Sequence, residues 1–235
     1  MNKKHIFFII IVVICFACSK AKCPTPNQSA TTKVVVDTVI VIDSVVTEQI
    51  AVSIRSAVVN SLQPTTNYGN VSFITAEAWT QSGSTRIQRT LIDFDYSSIP
   101  SGAKVTKALL TLYANTTLNY SAGSIVGNGH SQLSGSNSWS LSQITSTWDQ
   151  QTVTWDTTPT VDNTTIELPA STSNSENYTI DITTFVKAEI ANPTLYYGLF
   201  MKLDDEQYYR SVYFYSPYDT NYPTLHPTLV INYTN

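Results

Sequence analysis

Cysteine is nearly missing from this chain of 235 residues: Cys15, Cys18 and Cys23 are the only three, all at the N-terminus. The rest of the chain therefore has no thiol pair for a disulfide. With only His130 and His226 outside the N-terminal segment, it also lacks the donors of a zinc site. Charge is scarce as well. Only 13% of residues are charged and the formal net charge is −4, falling to −6 if Lys3 and Lys4 leave with a leader. That balance argues against a nucleic-acid partner, which requires a basic footprint. No Gly-x-Ser-x-Gly, His-Glu-x-x-His or phosphate-cradling loop is present, and no enzyme class is indicated. A carboxylate-pair glycosidase leaves no spacing signature and stays open.

What is abundant is Ser, Thr and Asn beside 42% hydrophobic residues, a composition of secreted β-rich binding proteins with enough apolar content for one core. The chain begins with Lys3 and Lys4, then the apolar run IFFIIIVVICFA. About twelve apolar residues fall short of the roughly twenty that cross a bilayer, which marks an export leader. Cys15-Phe16-Ala17-Cys18 resembles a bacterial lipobox, with Cys15 where Leu is usual. The resemblance implies removal of residues 1–17 and lipidation of Cys18, hence attachment to a membrane, by preference the outer membrane of a Gram-negative bacterium. An ordinary secretory leader or a retained anchor are the alternatives. Residues 18–49 read as a tether. Its VVVDTVIVIDSVV stretch has a strand as the rival reading, and Asp37-Thr38-Val39 and Asp43-Ser44-Val45 resemble O-glycosylation sites.

From residue 50 to 235 the pattern is that of one all-β domain. Val52 and Ile54, Ile92 and Phe94, Leu110 and Leu112, and Leu229, Ile231 and Tyr233 alternate with polar neighbours, as half-buried strands require. Turn signals such as Asn67-Tyr68-Gly69-Asn70, Gln81-Ser82-Gly83-Ser84 and Pro100-Ser101-Gly102 separate them. The expected architecture is an antiparallel, jelly-roll-like β-sandwich with one short helix over Asp181–Ile190. Ile182, Phe185, Val186 and Ile190 share a face of that helix, Asp181 or Thr183 caps it and Asn192-Pro193 stops it.

Four blocks carry a family resemblance: VSIRSAVVNSLQPTTNYGN, RTLIDFDYSSIPSGAKVTKALLTLY, ITSTWDQQTVTWDTTPT, and YTIDITTFVKAEI with SVYFYSPYDTNYPTLHPTLVINYT. In this order they resemble the DNRLRE-type carbohydrate-binding modules, family 96, found beside alginate lyases. The hexapeptide that names the type is absent, and His226-Pro227 stands where Arg-Pro is usual. The resemblance implies non-catalytic polysaccharide binding by a membrane-anchored lipoprotein. A structural or adhesive surface protein and a polysaccharide lyase or hydrolase are the alternatives. It also makes Trp148 and Trp155, in TSTWDQQTVTWDTTPT, look like framework residues. A strand over 152–155 would put Val153 and Trp155 on one face, with Trp148 ahead of a turn at Asp149-Gln150; a sugar-stacking pair is the rival reading.

Saccharide recognition needs a flat aromatic for the CH-rich ring face and planar polar groups for hydroxyls, and an acidic polymer such as alginate adds a need for arginine. Arg55 and Arg89 alternate onto outer faces, whereas Arg86 is in phase with the buried set and expected to reach over the sheet edge. Solvated surface arginine, or ion pairs with Asp93 or Asp95, is the plain alternative. Trp79, beside the loop from Thr80 to Ser84, and Trp139, after the Ser/Gly/Asn-rich loop, are the stacking candidates, with partial burial as their alternative. Tyr68 in its turn, and Tyr208, Tyr209 and Arg210, complete the set. Asp204, Asp205 and Glu206 offer calcium oxygen ligands, against a solvated acidic turn, and no other cofactor is expected.

Overall fold

A computed structural model describes residues 48–117 and 129–235. The leader, Cys18, the tether up to residue 47 and its two Asp-Ser/Thr sites lie outside the described residues, while Glu48 and Gln49, expected to end the tether, open the first strand. Among the described residues eleven strands form, all paired antiparallel: β1 (Glu48–Asn60), β2 (Phe73–Gln81), β3 (Ser84–Asp95), β4 (Lys104–Leu112), β5 (Ser131–Gln132), β6 (Trp139–Ile144), β7 (Val161–Leu168), β8 (Tyr178–Asp181), β9 (Leu199–Leu203), β10 (Arg210–Tyr215) and β11 (Thr228–Thr234). One helix, α1 (Thr183–Ala191), lies between β8 and β9.

The fold is an all-β sandwich whose two sheets share β1. Glu48–Val52 pair with β11, which continues to β4 and β8. Ser53–Asn60 pair with β3. On its other edge β3 holds β2 through Ser84–Gln88 and β9 through Thr90–Ile92, so this sheet forks into β2–β10–β5 and β9–β6–β7. The alternation read from the sequence is realised: Ile92, Phe94, Leu110, Leu112, Leu229 and Ile231 are all buried in one core between the sheets.

The helix seals one end of that core with Ile182, Phe185 and Val186. Its start is tied to β4, because Ile182 N–H donates to Ala108 O at 3.0 Å and Ala108 N–H donates to Thr183 Oγ1 at 2.8 Å. Neither Asp181 nor Thr183 takes the capping position, which falls to Ile182 without a side-chain cap; Asp181 Oδ1 instead accepts Thr183 N–H at 3.0 Å.

Outside the main core, Ala57, Val59, Leu91, Ile144, Val153 and Phe200 form a second cluster on the other face of β1, β3 and β9. The segment holding Trp148 and Trp155 covers it. That segment is not a strand: Thr152 and Val153 both donate their N–H to Asp149 O, at 3.2 and 2.9 Å, which folds it into a turn. Val153 and Trp155 still meet the same cluster. Asn67 braces the turn by donating Nδ2–H to Gln150 O (2.9 Å) and Val153 O (2.7 Å). Gly69 passes so close that a Cβ there would sit 2.1 Å from Gln150 O.

Candidate functional site

Apart from Tyr68 and Trp139, the sequence-derived candidates gather in two places, around Arg55 and Arg89 and around the β2–β3 turn. Arg55 and Arg89 project from the face carrying the second cluster. Arg55 donates Nε–H to Asp93 Oδ2 at 2.9 Å, and its guanidinium lies 5.2 Å from the Trp148 ring centre. Arg89 grips Glu206 with two hydrogen bonds, 2.7 and 2.8 Å, and lies 4.6 Å over the Trp155 ring. Each indole is thus half-buried between aliphatic neighbours and a guanidinium, and Trp148 Nε1–H donates to Tyr197 O at 2.9 Å. Both tryptophans act as plugs of this cluster.

The second group gathers at the β2–β3 turn. Trp79 and Arg86 are cross-strand partners, and Tyr209 packs edge-on against Trp79 with centres 5.0 Å apart. Here two expectations are corrected. Trp79 is 2% exposed and Trp139 0%, so neither offers a ring face to a ligand. Trp79 points to the same sheet face as Glu77, beneath Tyr209, and Trp139 is enclosed by Tyr178 and Phe214 at 5.3 and 5.7 Å. Arg86 does not reach over the edge either: it is 7% exposed and donates Nε–H to Glu77 Oε1 at 2.7 Å. Burial drives the Glu77 carboxyl above its ordinary pKa, against the pull of Arg86 and of the Tyr213 hydroxyl that donates to it.

Tyr208 is exposed and edge-on to Tyr209 at 5.4 Å, while Tyr209 adopts φ 69°, an uncommon conformation for a residue with a Cβ. Tyr68 is half-buried, its carbonyl accepting Val58 N–H at 3.1 Å. Arg210 is ion-paired with Asp205 and donates to Ser134 O at 3.1 Å. Asp205 and Glu206 are therefore taken by two different arginines, and no group of three or more His, Cys, Asp or Glu converges among the described residues. The three acids of this turn, weighed in the sequence as calcium ligands, do not converge on one another.

A cavity of a size suited to a small ligand lies elsewhere, in a cleft of about 510 Å³ between the end of β3 with the turn following it and the C-terminal half of α1. Asp93, Tyr96, Glu189, Tyr196 and Tyr197 supply its polar groups and rings, over a wall that includes Phe94, Ile99 and Pro193. A smaller hollow of about 390 Å³, lined by Arg55 and Asp95, meets it at Asp93 and Phe94. Gly198 sets the position of Tyr197: at φ 91° it runs so close to β3 that a Cβ would lie 2.2 Å from Ile92 O.

Glu189 is the residue sequence reasoning missed. It is 6% exposed, accepts a hydrogen bond from the Tyr96 hydroxyl at 3.3 Å, and its pKa is pushed up to about 7 by burial first and by repulsion from Asp93 second. Burial and the neighbouring Glu189 together hold the Tyr96 phenol well above its usual pKa. The signal was present: Glu189 falls four places after Phe185 and three after Val186, on the apolar stripe of α1.

A family model described as carbohydrate-binding module family 96 matches residues 48–233. A comparison with curated proteins returned no match.

Proposed function

Since the chain belongs to carbohydrate-binding module family 96, we propose that it is a non-catalytic polysaccharide receptor, held on the outer membrane through a lipid on Cys18 and carried on a tether. The observation that supports this reading is that the family match covers the sandwich from β1 to β11, including every wall of the cleft. The cleft has the constitution of a saccharide site: apolar walls and tyrosine rings for a pyranose face, with carboxyl and phenol groups for its hydroxyls. Binding would hold polysaccharide near the cell for partner enzymes or transporters, with no metal ion taking part. Affinity electrophoresis of the purified protein against a panel of soluble polysaccharides tests the reading: retardation by at least one, unchanged by EDTA, is expected, and mobility unaffected by any would refute it. Cys18→Ala with membrane fractionation tests the anchor, since unchanged membrane retention after leader processing would exclude lipid attachment.

One observation favours a second reading, glycoside hydrolysis. Asp93 and Glu189 share the cleft, and Glu189 has the raised pKa of a general acid. Release of reducing ends from a bound polymer, abolished by Glu189→Gln, would establish it.

A further inference from the structure

The chain has four arginines, and every one is ion-paired with a carboxylate of the same chain: Arg55 with Asp93, Arg86 with Glu77, Arg89 with Glu206 and Arg210 with Asp205. A uronate carboxylate reaching any of them would meet a guanidinium whose charge an internal acid already offsets. No lysine lines the cleft. Lys104 and Lys187 line a separate hollow that shares only Ala103 and Ile190 with it. The cleft itself carries two acids, Asp93 paired with Arg55 and the buried Glu189, and no cation among its lining residues, so a charged uronate entering it would find no counter-charge in a partly desolvated space.

We infer that this cleft is a subsite for an uncharged sugar residue, seated with its CH face on Tyr196 and its hydroxyls on Glu189 and Tyr96, and that the protein selects neutral glycans over uronate polymers. The inference rests on the proposed carbohydrate binding and adds the class of ligand to it. Neutral hydroxyls suit these groups in both directions, because a carboxyl that keeps its proton both donates and accepts. Three groups face Glu189: Asp93 from β3, the Tyr96 phenol, and the Gly198 N–H that donates to it. A neutral sugar covers Glu189 further without supplying a cation, which favours the protonated carboxyl. Its affinity should therefore fall as pH rises through about 7. An amino sugar would show the opposite trend.

The experiment is affinity electrophoresis and titration calorimetry of the full-length protein with neutral glucan, mannan, galactan and xylan, and with alginate and polygalacturonate, at pH 6 and pH 8. The expected result is binding to at least one neutral polymer, several-fold weaker at pH 8, with none to the two uronates. Tyr196→Ala should weaken the neutral ligand by about tenfold, the value of one stacking contact. Glu189→Gln should flatten the pH response, with cooperative thermal unfolding of both variants at pH 6 showing that they fold. Salt-sensitive binding of alginate or polygalacturonate in preference to the neutral polymers would overturn the inference and leave carbohydrate binding standing. So would neutral binding indifferent to Tyr196→Ala and to pH. Failure to bind any of the six would overturn the receptor reading itself.

Discussion

Arg86→Met isolates the cost of the buried charge pair under Tyr209. The Glu77 and Arg86 side chains are 0% and 8% exposed, and besides Arg86 the Glu77 carboxylate accepts the Tyr213 hydroxyl. Removing the cation leaves a carboxylate in a site where burial already opposes its charge. Breaking one side of such a pair costs about 3–5 kcal/mol. In a domain of this size each kcal/mol lowers the thermal midpoint by about 2–4 °C, so a drop of about 6–20 °C is expected by circular dichroism at pH 7.5. The pH dependence gives a second check. A carboxyl whose pKa is raised on folding binds its proton more tightly in the folded state, so stability declines as pH rises through the window between the two values. Losing Arg86 removes the main influence holding that window narrow. The deficit of the variant should therefore be largest at neutral and alkaline pH and shrink on acidification, and adding Glu77→Leu should recover most of it. A loss under about 1 kcal/mol, or one that stays constant with pH, would mean that another group or water compensates Glu77, and the argument from burial would fail.

Glu189 should impose its own pH dependence: the rise of its pKa from 4.5 to about 7 corresponds to about 3 kcal/mol of stability, present below pH 4.5 and lost as pH climbs through 7. Urea midpoints at pH 5 and pH 8 should differ accordingly in the parent and converge in Glu189→Gln. Gly198→Ala forces a side chain into φ 91° and against Ile92 O. A loss of at least about 1–2 kcal/mol is expected, and a neutral outcome in thermal melts would contradict the close approach. Trp139→Ala, in the main core, should cost about 3–5 kcal/mol in chemical denaturation, whereas Tyr208→Ala, 48% exposed, should stay within about 0.5 kcal/mol.

The sandwich was legible because period-two alternation encodes it directly: Ile92 and Phe94, or Leu229 and Ile231, have the same facing in sequence and structure. The forked sheet was not, since nothing local in Ser84–Asp95 reveals that one edge pairs with two different strands. The tryptophans show how loop adjacency misleads. Trp79 and Trp139 sit beside loops, yet both lie on strands whose two faces are covered, and both are buried. Period-two alternation cannot flag such positions, because a strand covered on both sides has no exposed face to contrast with. For Arg86 the phase argument was right about its side and incomplete about its partner, because Glu77 is on a different strand and becomes a neighbour only through β2–β3 pairing. The segment over 152–155 fails as a strand for a local reason: Asp149 accepts both following amides and closes a turn before a strand can extend.

The missing cysteines and the paired arginines belong to one account. With no disulfide possible beyond the N-terminus, long connections must be fixed to the sheet by other means. Arg89 ties Glu206, in the β9–β10 connection, to β3. Arg210 joins the same connection, through Asp205, to the carbonyl of Ser134 beyond β5. Arg86 holds Gln81 at the β2–β3 turn while neutralising Glu77. A guanidinium suits this task because its planar fork makes two directed bonds from one side chain and still stacks on an indole, as Arg89 does on Trp155. Such clamps commit each guanidinium to an internal acid, and Lys104 and Lys187 line a separate hollow. A ligand in the cleft around Glu189 meets carboxyl and phenol groups and rings, with no cation among its lining residues.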